Sequence, residues 1–158
     1  MKEGIREIQE ADLDALKKVL DSTGLFPSEY LEDMISDYLN NPGSTDIWFT
    51  YVENKKPVSI AYCAPEKFTE GTYNLYAIGV YEEEQGKGIG RKKMAYLEDL
   101  LREKDARILI VETSGTADFE LTREFYHKCD YTQEAVIRDF YEKGDDKVVF
   151  WKNLKEKG

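Results

Sequence analysis

The chain is poor in the residues that build metal and disulfide sites. Its 158 residues include 2 cysteines and 1 histidine. Cys63 and Cys129 form no CxxC pair, and with only His127 beside them no zinc site of the usual spacing can be assembled. Thiols this sparse read as reduced residues of a reducing compartment. Long apolar runs are missing as well. No stretch reaches the roughly 20 apolar residues of a membrane span. The opening MKEGIREIQEADLDAL lacks the apolar core of about 7–15 residues that a signal peptide needs. No long Gly/Ser, Pro or Gln tract suggests a disordered tail. The expectation is a soluble, cytoplasmic protein.

Positive charge is also in short supply. Lys and Arg number 22 against 32 Asp and Glu, for a net charge of −10. Such a body repels phosphate backbones and anionic membrane surfaces, so neither nucleic acid nor a membrane is expected as partner. It mildly favours a cationic substrate such as an amine, although acidity also serves solubility alone. An anionic ligand would need positive charge gathered locally, and the run Lys87, Arg91, Lys92, Lys93 gathers it.

What is present suits a folded enzyme-sized domain. The chain is 41% hydrophobic and 13% aromatic, enough for a core at this length, with 34% charged residues spread along it. No repeat or linker divides residues 1–158, so one domain is expected. Gly4 to Ile8 reads as a strand. Leu13, Leu16 and Leu20 recur at helical spacing behind Asp12, a candidate cap. After Gly24 and Pro27, Ser28 is placed to cap a second helix whose stripe is Tyr30, Leu31, Met34, Ile35, Tyr38 and Leu39.

The period then changes to two. Asp46 to Val52 and Pro57 to Ala64 read as a hairpin around Asn54-Lys55-Lys56, and Tyr73 to Tyr81 as a further strand after the turn Glu70-Gly71. Ile89, Met94, Leu97 and Leu101 line one side of a helix. The near-continuous apolar run RILIVE, Arg107 to Glu112, suits a strand covered on both faces. Phe119, Thr122 and Tyr126 share a face of a fourth helix. Tyr131 to Tyr141 and Lys147 to Trp151 close the chain as an antiparallel pair. The order βααβββαβαββ implies an α/β (α+β) fold with a mixed sheet and helices on both faces.

The segment VYEEEQGKGIGRKKM, Val80 to Met94, carries the chemistry. A strand ends, glycines crowd the turn and an amphipathic helix begins. Helix starts leave about four amides unpaired and carry partial positive charge. Glycines let those donors come close to a phosphate because no Cβ intervenes. Lys87 and Arg91 add charge, so a diphosphate site is expected; a glycine-rich turn without ligand is the plain alternative. A triphosphate-binding GxxxxGK[ST] loop is excluded by Tyr81 at its first glycine and Gly88 at its hydroxyl position. A dinucleotide GxGxxG loop meets Arg91 in place of its last glycine, and it would normally follow the first strand of a parallel sheet. Glu112, at the end of the next strand, is the one feature that fits it.

Gln85-Gly86-Lys87-Gly88-Ile89-Gly90 matches Q/R-x-x-G-x-G/A at every fixed position. With its flanking strand and helix it resembles the GNAT (Gcn5-related N-acetyltransferase) superfamily, over nearly the whole chain. The resemblance implies a mostly antiparallel sheet of about six or seven strands and acetyl-CoA as cosubstrate, with no metal required. It places the pyrophosphate on Gln85 to Arg91 and the pantetheine arm along Ile78, Gly79 and Val80. Thr122-Arg123-Glu124-Phe125-Tyr126 resembles the family's R-x-F-Y segment, which makes Tyr126 the proton donor to the departing thiolate. A phenol with a pKa near 10 is a reasonable acid for a thiolate near 8.5. A tyrosine at helical spacing is otherwise a core residue.

Departures from the family pattern are visible. Asp130 stands where the family commonly has glycine after this helix, a position Asp tolerates in left-handed conformation better than most residues. Phe119 stands where many members have asparagine, with Thr113, Ser114 and Thr116 as polar neighbours. The family's strand glutamate is absent, since Asn74 and Tyr76 hold the cleft-facing positions. Glu112 is then the candidate base, with a water chain as the alternative. His127 is expected on the helix surface, and the cysteines are expected in packing roles. In the family the segment Ser22 to Pro42 walls the acceptor pocket, and here it offers Phe26, Tyr30, Asp33 and Asp37. The implied acceptor is a primary amine of a small molecule or a peptide, and the resemblance leaves a homodimer open. A non-catalytic acyl-CoA sensor is the rival reading.

Overall fold

The computed structural model describes residues 4–155. Its contacts fall into two compact units. One holds the chain as far as Ala64 together with Tyr76–Leu97; the other holds Pro65–Leu75 and the chain from Glu98 onward. The elements follow as β1 (Gly4–Glu7), α1 (Leu13–Thr23), α2 (Leu31–Asn40), β2 (Ile47–Glu53), β3 (Lys56–Pro57), β4 (Ser59–Pro65), β5 (Thr72–Val80), α3 (Ile89–Glu103), β6 (Ile108–Ser114), α4 (Glu120–Lys128), β7 (Thr132–Glu142) and β8 (Asp145–Asn153). The expected order is recovered, with the hairpin partner of β2 split into β3 and β4.

In the first unit β2 takes β1 antiparallel on one side, from Gly4↔Val52 to Glu7↔Phe49, and β4 on the other, from Ile47↔Cys63 to Phe49↔Ala61. The hairpin turn is tighter than expected. Glu53 pairs with Lys56, so Asn54 and Lys55 alone make the turn, at φ 51° and 66°. Left-handed backbone at both central residues matches the twist of the flanking strands. Pro57 has no N–H to give, and beyond it side chains replace ladder bonds: Tyr51 N donates to Ser59 Oγ at 2.7 Å and Thr50 Oγ1 to Ser59 O at 2.6 Å. That substitution splits the strand.

Alternation along β2 sorts its side chains by face. Trp48, with Ile60 of β4, packs against Leu16, Leu20, Leu31 and Ile35 of α1 and α2. Phe49 and Tyr51 turn the other way. Phe49 meets Tyr96 at 5.0 Å, and Tyr51 clusters with Ile89 and Val58. Helices therefore cover both faces of this unit's strands. Two expected caps are not made. The Asp12 carboxylate instead accepts from Arg6 at 2.7 and 2.8 Å and from the Gln9 amide at 2.7 Å. Ser28 opens a short 3-10 turn, Ser28–Tyr30, so α2 starts only at Leu31 and Tyr30 leaves the apolar stripe.

In the second unit β5 pairs parallel with β6, Thr72↔Ile108 to Leu75↔Val111, while β8 pairs antiparallel with β6 and with β7. One parallel pair among antiparallel ones is the mixed, mostly antiparallel arrangement expected. The run in β6 overstated its coverage: Leu109, Val111 and Thr113 are buried, but Ile108, Ile110 and Glu112 only partly so. β7 is exposed along its whole length. Interior charge is paired: the Tyr131 hydroxyl donates to Glu98 at 2.6 Å, and Lys152 Nζ reaches Glu98 at 3.1 Å and the Cys129 carbonyl at 2.7 Å. Among the described residues no helix is long and apolar enough to cross a membrane.

Candidate functional site

The glycine loop is built from the end of β5 outward. Tyr81 N donates to Val58 O at 2.7 Å, a 3-10 turn runs Glu82–Glu84, and the Gln85 side chain donates back to Val80 O at 2.9 Å. Gln85 thus fixes the strand end rather than facing outward alone. Gly86 and Gly88 both sit at φ 82°, with nothing within 4 Å of where a Cβ would stand. That backbone conformation is open to glycine at little cost. α3 starts at Ile89, which is buried and anchors the helix beneath the loop. The helix there opens with Lys92 N donating to Gly88 O at 3.1 Å. Among the described residues the amides of Gly86, Lys87, Gly88, Ile89 and Gly90 bond to no chain acceptor. A row of open donors at a helix start is what an anionic diphosphate requires.

The positive run beside the loop is only partly available. Lys87 Nζ pairs with Glu84 at 2.5 Å and lies 3.6 Å from Glu53. Lys92 Nζ lies 5.7 Å from the centre of the Tyr51 ring, and Arg91 is exposed. Lys93 is lost to the site. It is fully buried, with Nζ donating to Ile60 O at 2.7 Å and to Gly79 O at 3.4 Å. Burial drives its pKa well below the usual lysine range. Its position four residues before Leu97 puts it on the buried side of α3, which charge counting along the sequence could not register.

Ile78, Gly79 and Val80 are half-buried at the end of β5. A Cβ at Gly79 would stand 3.4 Å from Leu25 Cδ2 and 3.7 Å from Thr23 Cγ2, so α1's end lies against this stretch. Of the expected acceptor wall, Phe26 packs against the α1–α2 cluster and Tyr30 is 54% exposed. Asp33 is exposed, and Asp37 accepts from Ser44 Oγ at 2.6 Å and Asn41 Nδ2 at 3.1 Å, which lowers its pKa. Sequence reasoning missed Trp48 and Tyr62, whose rings stack in line with Tyr76 across β2, β4 and β5, and Asp46, which precedes β2. A sequence signal existed: an aromatic residue at the same alternation phase on each of those strands.

The second unit holds Tyr126 and Glu112. Tyr126 is buried, with ring neighbours Phe125 at 5.3 Å, Phe150 at 5.4 Å and Tyr131 at 5.9 Å. Burial, then the nearby Cys129, raises its hydroxyl above the ordinary phenol range. Glu112 is ion-paired with Lys147 Nζ at 3.0 Å. Arg123 has a role not foreseen: its Nη1 donates to Ser114 O at 2.9 Å and Thr116 O at 2.8 Å, tying the turn between β6 and α4. Ser114 Oγ is itself engaged with Asp145 at 2.5 Å. Phe119 does not join Tyr126 on a buried face; it precedes α4 and is 43% exposed. Asp130 takes φ 68°, the left-handed conformation expected of it. His127 is on the surface, and Cys63 and Cys129 are buried and form no disulfide among the described residues.

A family model described as the acetyltransferase (GNAT) family matches residues 7–131. No curated protein matches the chain by sequence. Among solved structures, a protein from Desulfovibrio desulfuricans described as a GNAT-family acetyltransferase is 28% identical, with TM-score 0.90, covering 97% of this chain and 99% of that one. The Escherichia coli ribosomal-protein-S18-alanine N-acetyltransferase is 18% identical, with TM-score 0.79 and coverage of 99% and 97%. An aminoglycoside 6′-N-acetyltransferase complexed with coenzyme A is 18% identical, with TM-score 0.78 and coverage of 98% of each chain. At that identity the last two attest the fold.

Proposed function

Since the chain belongs to the GNAT family of acetyltransferases, we propose that it moves the acetyl group of acetyl-CoA to a primary amine of a small molecule or peptide, by direct attack, in the cytoplasm. The observation that carries this reading is the row of unbonded amides from Gly86 to Gly90 at the start of α3. Those donors take the pyrophosphate, helped by Arg91, while Gly86 and Gly88 keep the approach free of side chains. Ile78, Gly79 and Val80 pair their backbone with the pantetheine arm. Amides near Ile78 and Val80 polarise the thioester oxygen as negative charge develops there.

The amine forms a C–N bond to the carbonyl carbon, the C–S bond breaks, and Tyr126 supplies a proton to the sulfur. Burial weakens the phenol as an acid, but desolvation raises a thiolate in the same way, as it does for the buried thiol of Cys63. Glu112 takes the amine's proton, and it does so only when its pair with Lys147 loosens. Most of the rate comes from holding the two reactants in line.

Calorimetry with acetyl-CoA, followed by thiol release on a panel of primary amines, tests this reading. Binding with release of free thiol that falls in Tyr126→Phe and Glu112→Gln is the expected result. Binding without release from any amine would instead identify an acyl-CoA sensor. No heat at millimolar acetyl-CoA would remove both readings.

A further inference from the structure

The first unit carries an aromatic ladder on the strand face that α1 and α2 cover. Trp48 of β2 and Tyr62 of β4 are register partners whose rings stack at 4.2 Å with 8° between planes. Tyr62 in turn stacks on Tyr76 of β5 at 5.4 Å and 30°. Trp48 is fully buried and Tyr76 is 49% exposed, so the ladder leads from the interior to the surface. Within it the buried indole N–H of Trp48 finds no acceptor among the described residues. That donor offers nothing to a cation; what the ladder presents to one is the exposed ring face of Tyr76.

Two carboxylates stand beside this ladder. Asp46, half-buried, precedes β2 and shares the alternation phase of Trp48. After burial itself, Asp46 leads the charged groups that act on the Tyr62 hydroxyl, and Asp37 also contributes. Burial first, and then the like-charged Asp37, disfavour the charged form of the Asp46 carboxylate. Asp37 is held in place through Ser44, whose Oγ also accepts from the Asp46 amide at 3.2 Å. A positive group entering beside half-buried Asp46 and exposed Asp37 would offset that repulsion.

The opposite face is already taken. There Phe49 and Tyr51 meet the first turns of α3, the helix that carries the glycine loop. On the ladder's side, α1 and α2 cover Trp48, and Tyr76 is the ring that reaches solvent. We propose that Tyr76, Tyr62, Asp46 and Asp37 bind a second, non-reacting ammonium group of the acceptor, so that the enzyme's substrates are small diamines or polyamines rather than monoamines. This rests on the acetyl-transfer reading above. The free amino group forms the amide bond, while the ammonium at the ladder keeps its proton and stays bound. A cation over a tyrosine face contributes about 0.5–2 kcal/mol, and the net charge of −10 concentrates cations near the protein.

The test compares 1,4-diaminobutane with n-butylamine as acceptors, with acetyl-CoA binding measured separately by calorimetry. The parent protein should use the diamine with kcat/KM roughly tenfold or more above the monoamine. Asp46→Asn and Tyr76→Ala should each shrink that ratio about three- to tenfold, with acetyl-CoA affinity retained. Asp46→Asn is isosteric and Tyr76 is largely exposed, so melting temperatures should hold; two variants guard against misfolding of either. Equal use of the two amines, a ratio unchanged in both variants, or acetyl-CoA binding with turnover of neither amine would each overturn the proposal. Failure to bind acetyl-CoA at all would strike the acetyl-transfer reading as well, and is thereby distinguishable.

Discussion

Lys93 donates its amine to the carbonyl of Ile60 at 2.7 Å from a fully buried position on the helix that follows the glycine loop. The Phe49 ring centre lies 5.7 Å from the same nitrogen. Burial drives its pKa well below the usual lysine value. The folded state therefore binds the Lys93 proton less readily than the unfolded chain does. Below the folded pKa the penalty for the buried charge is fully present. It is relieved as pH rises through that value toward the unfolded 10.5. Lys93→Met removes the titrating group and leaves the Ile60 carbonyl without its donor, at a cost of about 1–3 kcal/mol. Denaturant unfolding at a series of alkaline pH values should show stability rising with pH more steeply in the parent than in the variant. Parallel slopes would mean that Lys93 stays charged in the fold.

Gly88 is where a side chain should matter most to the cofactor. Its φ of 82° makes any L residue strained, by about 1–2 kcal/mol, although the space around it is open. Gly88→Ala should weaken acetyl-CoA binding by roughly tenfold or more, because the Cβ intrudes on the amide row. Calorimetry reads the affinity and thermal melting reads the strain. A modest fall in melting temperature with unchanged affinity would remove Gly88 from the binding loop.

Tyr126 offers a cleaner separation of roles. Its ring is packed against Phe150 and Tyr131, and phenylalanine keeps that packing while removing the hydroxyl. Tyr126→Phe should lower kcat by about 10²-fold or more, with acetyl-CoA affinity changed little. Steady-state kinetics on an active amine checks this. A kcat within a factor of about two of the parent would assign Tyr126 to packing alone.

The pair of Arg6 and Asp12 should control stability at acid pH. Burial by itself would raise the Asp12 carboxyl, but the Arg6 and Gln9 hydrogen bonds outweigh it and lower the pKa below 3.8. A carboxylate depressed in the fold contributes stability above its unfolded pKa and loses it as pH falls through the folded value. Asp12→Asn should destabilise the protein by about 1–2 kcal/mol at neutral pH, between the values for exposed and buried pairs. The deficit should shrink as the pH drops below 3.8. Urea unfolding at pH values on both sides of that point gives the comparison.

Much of the fold was written in short stretches of sequence. The loop and α3 could be read because glycine conformations and helical spacing act over a few residues: Ile89, Met94, Leu97 and Leu101 are all buried as their spacing requires. Asp130 took its left-handed conformation for the same local reason. Where several partners compete for one side chain, or a helix starts a residue later than its stripe suggests, local reading failed. Asp12 was placed to cap α1 but bonds Arg6 and Gln9 instead. Phe119 looked like part of a helical stripe, yet α4 begins after it at Glu120.

Sequence alone determined the family, the order of elements and the glycine-rich loop that opens α3, because each rests on residues adjacent in the chain. Tertiary structure alone decided that Lys93 is buried, that Glu112 pairs with Lys147, and that Trp48, Tyr62 and Tyr76 stack. Those outcomes depend on how segments far apart in sequence pack and pair. Register follows from how whole faces are covered, a property no single stretch of residues carries.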